Sequence, residues 1–420
     1  MVVSRWRWLL IVVAMPLLGL GGWLISRQIT AWNELRAGQA ELERNLPERA
    51  RPRLDRCLAV WPDSAQVQFL AGQAARRTGD LAAARRHLDR AEQLGWVGEA
   101  IELERELWRV QTGDTAPSET LLKYCQDHDG PETLLVLEIL TPAFMRSFQL
   151  FPAQACVDRW KVLAPEDARP WNYQGILAER RHNAREAREA YAESVRLDPG
   201  RVNVRLALIR TLLDANQADQ AEENLEILLR DHPDDFEGRL YRARALMLKG
   251  NRDDARGLLD ALLVQRPNHL QVLSLRGQID LDSNLPDKAE PFLRRAASLP
   301  NGDIDVLYNW LRCLRLVGKP EEIKQVEQRW KQFTADSEQM KDLMRKIAEN
   351  PSDCALRRKA GELSLRNNQE EEGLRWLQSA LAVQPDDATT HRLLAEYYAK
   401  KGYGTLANQH QVAAQSASKK

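Results

Sequence analysis

From Ala31 onward, apolar residues recur at three- and four-residue intervals, and the helical runs they define come in pairs joined by short turns such as Gly79-Asp80 and Gly113-Asp114. The clearest pair is ARPWNYQGILAERRHNAREAREAYAESVRLDP, Ala168 to Pro199, which predicts a helix, a turn and a second helix. With Ala168 as position 1, Trp171, Gly175, Ala187, Tyr191 and Pro199 hold positions 4, 8, 20, 24 and 32: a large residue, a small one, Ala, an aromatic and a closing Pro. The same spacing starts again at Ala31, Ala65, Glu99, Leu134, Val202, Phe236, Leu270, Ile304, Cys354 and Ala388.

The register has a strong centre and three weak places. From Ala168 to Ile304 it runs without insertion, and Pro199, Pro233 and Pro267 close successive units. The unit from Glu99 puts Glu106 and Ser118 at the small positions, and the unit from Leu134 carries Pro142 inside its first helix, which predicts a kink or break. The unit from Ile304 has Ile323 in place of Ala and is followed by an extra helical segment, 337–350, that fits no repeat.

Packing explains the residue types. Small residues at positions 8 and 20 let two antiparallel helices approach closely, and Ala fills position 20 in eight of the eleven units. Pro at position 32 ends the second helix, and Asp63, Asp167, Asp235 and Asp387 just beyond such prolines are expected N-caps for the next helix. The polar last segment, ending QHQVAAQSASKK, suits the terminal cap of a repeat array.

On these residues the chain resembles the tetratricopeptide repeat family, the membrane-anchored bacterial type, from about Ala31 to the C-terminus. The resemblance implies an all-α, right-handed superhelical solenoid of about eleven units over residues 31–415. It implies that first helices line a concave face, through positions such as 2, 5, 9 and 12, and that an extended peptide or protein segment is the ligand.

At position 9 stand Arg210, Arg244, Gln278 and Arg312, and at position 5 stand Asn172, Leu206, Leu240, Ser274 and Tyr308. These form the expected groove, with the guanidinium groups bonding an acidic segment and Leu206, Leu240 and Tyr308 supplying apolar contact. The competing reading is a solvated face whose arginines pair internally, as Arg210 would with Asp214 four residues on.

The N-terminus has a different composition. WLLIVVAMPLLGLGGWLI, Trp8 to Ile25, is 18 residues without a charge, which predicts a transmembrane anchor at 8–25 behind a cytoplasmic tail at 1–7. Trp6, Trp8 and Trp23 fit the two interfaces, and Arg5 and Arg7 place the solenoid on the exported side. A cleaved signal peptide, with Gly19 and Gly21 at its cleavage site, is the alternative.

Charge and chemistry then narrow the function. Lys plus Arg and Asp plus Glu are both 60, so no net field draws the chain to nucleic acid. The five cysteines form no Cys-x-x-Cys, and only Cys125 and Cys156 are placed where a pairing stays open. No phosphate loop, nucleophile elbow or zinc motif is present, so neither an enzyme nor a cofactor is expected. The reading is a membrane-anchored protein-binding scaffold or assembly factor; the alternatives are a self-associating, homo-oligomeric envelope solenoid and an enzyme with an unrecognised site.

Overall fold

The structure, a computed structural model, describes residues 23, 25–114, 116–299 and 304–417. Among them the chain is helical, as twenty-two helices in series joined by short turns. It divides into two compact units, Met1–Ala143 and Phe144–Lys420.

The first unit holds α1 (25–43), α2 (Pro47–Leu58), α3 (Ala65–Arg77), α4 (Leu81–Gln93), α5 (Glu99–Gln111), α6 (Ser118–Asp127) and most of α7 (Pro131–Arg146). Leu42, Leu54, Phe69, Leu70, Leu88 and Ile101 make its main core. Within it Arg76 and Glu104 form a fully buried, two-bonded ion pair joining α3 to α5. The neighbouring guanidinium charges and Arg76's bonds overcome the burial of Glu104 and hold its carboxyl below the usual carboxylate range.

The second unit continues with α8 (Leu150–Leu163), α9 (Ala168–Arg180), α10 (Ala184–Leu197), α11 (Val202–Asp214), α12 (Ala218–Asp231), α13 (Phe236–Leu248) and α14 (Arg252–Gln265). Then come α15 (Leu270–Asp282), α16 (Pro286–Ser298), α17 (Ile304–Val317), α18 (Pro320–Glu349), α19 (Cys354–Arg366), α20 (Glu370–Val383), α21 (Ala388–Lys400) and α22 (Gly404–Ala417).

The small positions work by reciprocal insertion. A Cβ added at Gly277 would lie 2.5 Å from Leu293, and one at Gly361 2.7 Å from Leu377, so the position 24 side chain fills the hollow at position 8. In the α19–α20 pair the converse also holds: a Cβ at Gly373, position 20, would lie 2.6 Å from Leu365, position 12. Positions 8 and 20 each receive a large side chain from the facing helix, and they also approach one another: a Cβ at Gly361 would lie 3.1 Å from the Gly373 carbonyl oxygen.

Asp167, Asp235 and Asp387 cap their helices through the backbone N–H groups of Arg169, Gly238 and Thr390. Asp63 does not: Ser64 is the residue before α3 and caps it, while Asp63 pairs with Arg90. The helix α7 is not interrupted at Pro142, because Leu137 and Leu140 before it and Ala143 and Phe144 after it are buried and packing outweighs the missing bond. The extra segment 337–350 is no separate helix. Ala335 stands where other units have Pro, nothing breaks the second helix, and α18 runs on for 30 residues.

The turn between helices has one signature that the motif positions do not include. At position 15 the backbone is left-handed in every pair, and the residue is Gly at 79, 113, 250, 318 and 402, Asn at 45, 216, 284 and 368, and His at 182. In the turn from α7 to α8 it is Phe148, φ 52°. Its ring enters a cluster of Leu343, Ile347, Ala360, Leu363 and Trp376, so the row of pairs in the second unit returns on itself.

No disulfide joins any of the five cysteines, all of them buried, so the pairing left open for Cys125 and Cys156 is not made. The anchor expected at 8–25 lies outside the described residues except for Trp23 and Ile25, as does the tail at 1–7. Among the described residues no helix is long and apolar enough to cross a membrane, and the single-pass location with an exported solenoid is withdrawn.

Candidate binding groove

First helices α11, α13, α15 and α17 pack on one another in succession, a contact the second helices do not match, so theirs is the inner face of the row. Position 9 lies on that face. Arg210 bonds Glu179 of the preceding first helix and lies 3.9 Å from Asp214 on its own. Arg244 lies 2.7 Å from Asp214, and Arg312 2.8 Å from Asp282.

The arginines thus form a ladder with their own carboxylates, each rung linking one first helix to the next. Their side chains are 37%, 32% and 40% exposed, so each rung contributes at most about 1 kcal/mol. At Arg210 burial opposes the charge, but the bond it donates to Glu179 outweighs it and raises the guanidinium above its ordinary value. Burial likewise pushes the neighbouring Tyr241 hydroxyl up.

The apolar members of the expected set separate. Leu240 is 1% exposed and belongs to the core with Phe236, Leu259 and Leu262, so it offers a ligand nothing. Leu206 is half-buried against the Leu208–Leu225 core, Asn172 and Gln278 are half-buried, and Ser274 is buried. Tyr308 is 56% exposed.

Of the acidic partners, Asp214 was expected beside Arg210 only in the competing reading of internally paired arginines, and Glu179 and Asp282 were not part of either reading. Their signal was in the sequence, since the rungs join residues 31 or 30 apart, close to one repeat. Leu248 and Leu316, exposed at position 13, were missed as well; they alternate with Asp214 and Asp282 at the same position of neighbouring units. Their signal is an apolar residue at the solvent end of a first helix. Among the described residues, no three His, Cys, Asp or Glu side chains converge as a metal site would require.

The tetratricopeptide repeat profile matches residues 35–99, 206–269 and 249–304. Human protein O-mannosyl-transferase TMTC3 is 24% identical over 158 residues, which cover 34% of this chain and 17% of that protein. The chain thus spans about a sixth of that relative, and the activity in its name belongs to the whole of it.

Among solved structures, PilW, described as a widely conserved type IV pilus biogenesis factor, is 14% identical and covers 48% of this chain and 93% of its own, with a TM-score of 0.41. MamA from Desulfovibrio magneticus RS-1 is 14% identical and covers 40% and 94%, with a TM-score of 0.36. Overlaps of this size position no site. Over residues 35–99 and 206–304, where profile, spacing and helix pairing coincide, the chain carries tetratricopeptide repeats.

Proposed function

We propose that the chain is a protein-binding scaffold, and that the inner face from α9 to α17 receives an extended segment of a partner protein. The supporting observation is the row of position 9 side chains, half-exposed Arg210, Arg244 and Arg312 with Gln278 between the last two, beside the exposed Tyr308, Leu248 and Leu316. A guanidinium has five N–H donors and each rung uses only part of them, so the remainder are available to carbonyls or carboxylates of an acidic segment. Gln278 within the row, and Asn172 and Leu206 beside it, supply amide and apolar contacts. Exposed tyrosine and leucine beside charged rungs suit a segment that alternates apolar and acidic side chains.

The test places a photo-crosslinking residue at Tyr308 and, as a control, at Val264, which is 83% exposed on a second helix. Expected is a partner captured from Tyr308 and not from Val264, and lost when Arg210, Arg244 and Arg312 are changed together to Glu. Undiminished capture by that triple variant, with its helicity intact, overturns the reading.

A further inference from the structure

The seam at Phe148 combines costs that a purely structural core would not accumulate in one place. A left-handed backbone is unfavourable for a residue with a bulky side chain, and the corresponding turns of the other pairs use Gly, Asn or His. The Phe148 ring is nevertheless 7% exposed, stacked 3.7 Å from the Trp376 ring at 18° on one side and covered by the Arg180 guanidinium, 4.8 Å away, on the other.

Two further costs lie in the same seam. The Trp376 indole N–H is buried without a hydrogen-bond acceptor. Arg357, 0% exposed, has no carboxylate partner: it donates to the Ser147 carbonyl at 2.9 Å, to the Pro351 carbonyl at 2.7 Å and to the Ser379 hydroxyl at 3.3 Å. Burial lowers the Arg357 guanidinium below its ordinary value.

The seam is also small. Arg357 bonding Ser147 and Phe148 seated among α18, α19 and α20 bring together parts of the chain 210 residues apart. The α18–α19 and α19–α20 packing beside it is sequential and does not depend on Phe148. Opening the seam would relax the turn, hydrate the indole N–H and expose the Arg357 cation to water, while the helix pairs on both sides stay folded.

We propose that the Phe148 turn is a latch: seated on Trp376 and Arg357, it closes the row of helix pairs from α8 to α20 on itself, and its release opens the inner face to a partner segment. The closed form is the one seen. The partner side of this inference rests on the groove reading above; the opening itself is read without any partner.

The experiment uses the full chain and two variants. Phe148→Gly removes the ring and gives the turn the residue that other pairs use there; Arg357→Met removes the bond to Ser147 while keeping bulk. Hydrogen exchange of the amides in 144–150, α19 and α20, together with the radius of gyration from solution scattering, are the readouts. Expected in both variants is exchange about tenfold faster or more at those amides, α11 to α14 unchanged, a larger radius and unchanged far-UV helicity.

Wild-type exchange and radius in both variants overturn the latch. Loss of α19–α20 helicity also overturns it, because Phe148 would then be core rather than closure. Faster Tyr308 crosslinking in Phe148→Gly supports the gating of the groove. If the groove reading fails its own triple-variant test, these partner-free readouts still decide the latch.

Discussion

The row from α9 to α16 and the seam formed by the Phe148 turn with α18 to α20 obey different rules. In the row, spacing is regular, small positions receive large side chains, and most contacts go to the same or the next pair, as in the Arg210–Glu179 and Arg244–Asp214 rungs. In the seam, each departure from the repeat has a use. Phe replaces Gly or Asn in a turn, Ala335 replaces a closing Pro, and the result is a contact 210 residues apart. Regular repeats give a chain its local geometry, and its irregular ones decide where that geometry closes.

The largest effect is expected from Ala335→Pro. It restores the break that other units carry, interrupts α18 ahead of Leu343 and Ile347, and removes the shelf on which Phe148 sits. A Pro inside a helix costs about 3 kcal/mol or more, so denaturation followed by circular dichroism should show α18 weakened, with exchange in α19 and α20 rising alongside it. Wild-type exchange in α19 and α20 would show that the two regions do not differ in the way described.

Gly175→Ala attacks the regular row instead. The new Cβ would lie 2.6 Å from Cδ1 of Tyr191, a side chain 1% exposed and unable to move aside, for a cost of about 1–3 kcal/mol. Gly257→Ala, on the open side of α14 with nothing within 4 Å, should instead stabilise by about 0.5–1 kcal/mol. Opposite signs in urea denaturation confirm the packing rule; equal signs break it.

The smallest effect concerns the terminal pair. His391 Nε2–H donates to the Pro385 carbonyl, so its Nδ1 accepts from His410 Nδ1–H at 2.9 Å, with Tyr398 stacked on the His410 ring. Burial first, and then the repulsion that would arise if both imidazoles of the pair were protonated, pushes His410 below the ordinary imidazole value. A depressed histidine is neutral in the fold, so its contribution is complete above about pH 6.5 and declines as pH falls below it, where the unfolded chain takes up the proton first. Amides of α22 should exchange faster at pH 5 than at pH 7.5 after correction for the intrinsic rate, and the difference should vanish in His410→Gln.

Much of the row was legible because one motif carries it. Trp171, Gly175, Ala187, Tyr191 and Pro199 fixed a register that the helix pairs follow, including the weak unit at Glu99. The groove was legible only in part. The stacking of Arg210, Arg244 and Arg312 follows from their spacing, but their pairing with Glu179, Asp214 and Asp282 depends on the angle between successive first helices. Leu240 and Leu206 share a repeat position, yet one is core and the other half-buried. A fixed position sets the face of a helix, while local curvature sets how deep that face lies.

By itself the sequence determined the helix pairs, their boundaries and their packing positions, because these follow from period, sterics and capping over a few dozen residues. Only the tertiary structure decided that 337–349 continues α18 and that Phe148 meets Trp376. Both depend on small angles added over many pairs, a sum that no local pattern records.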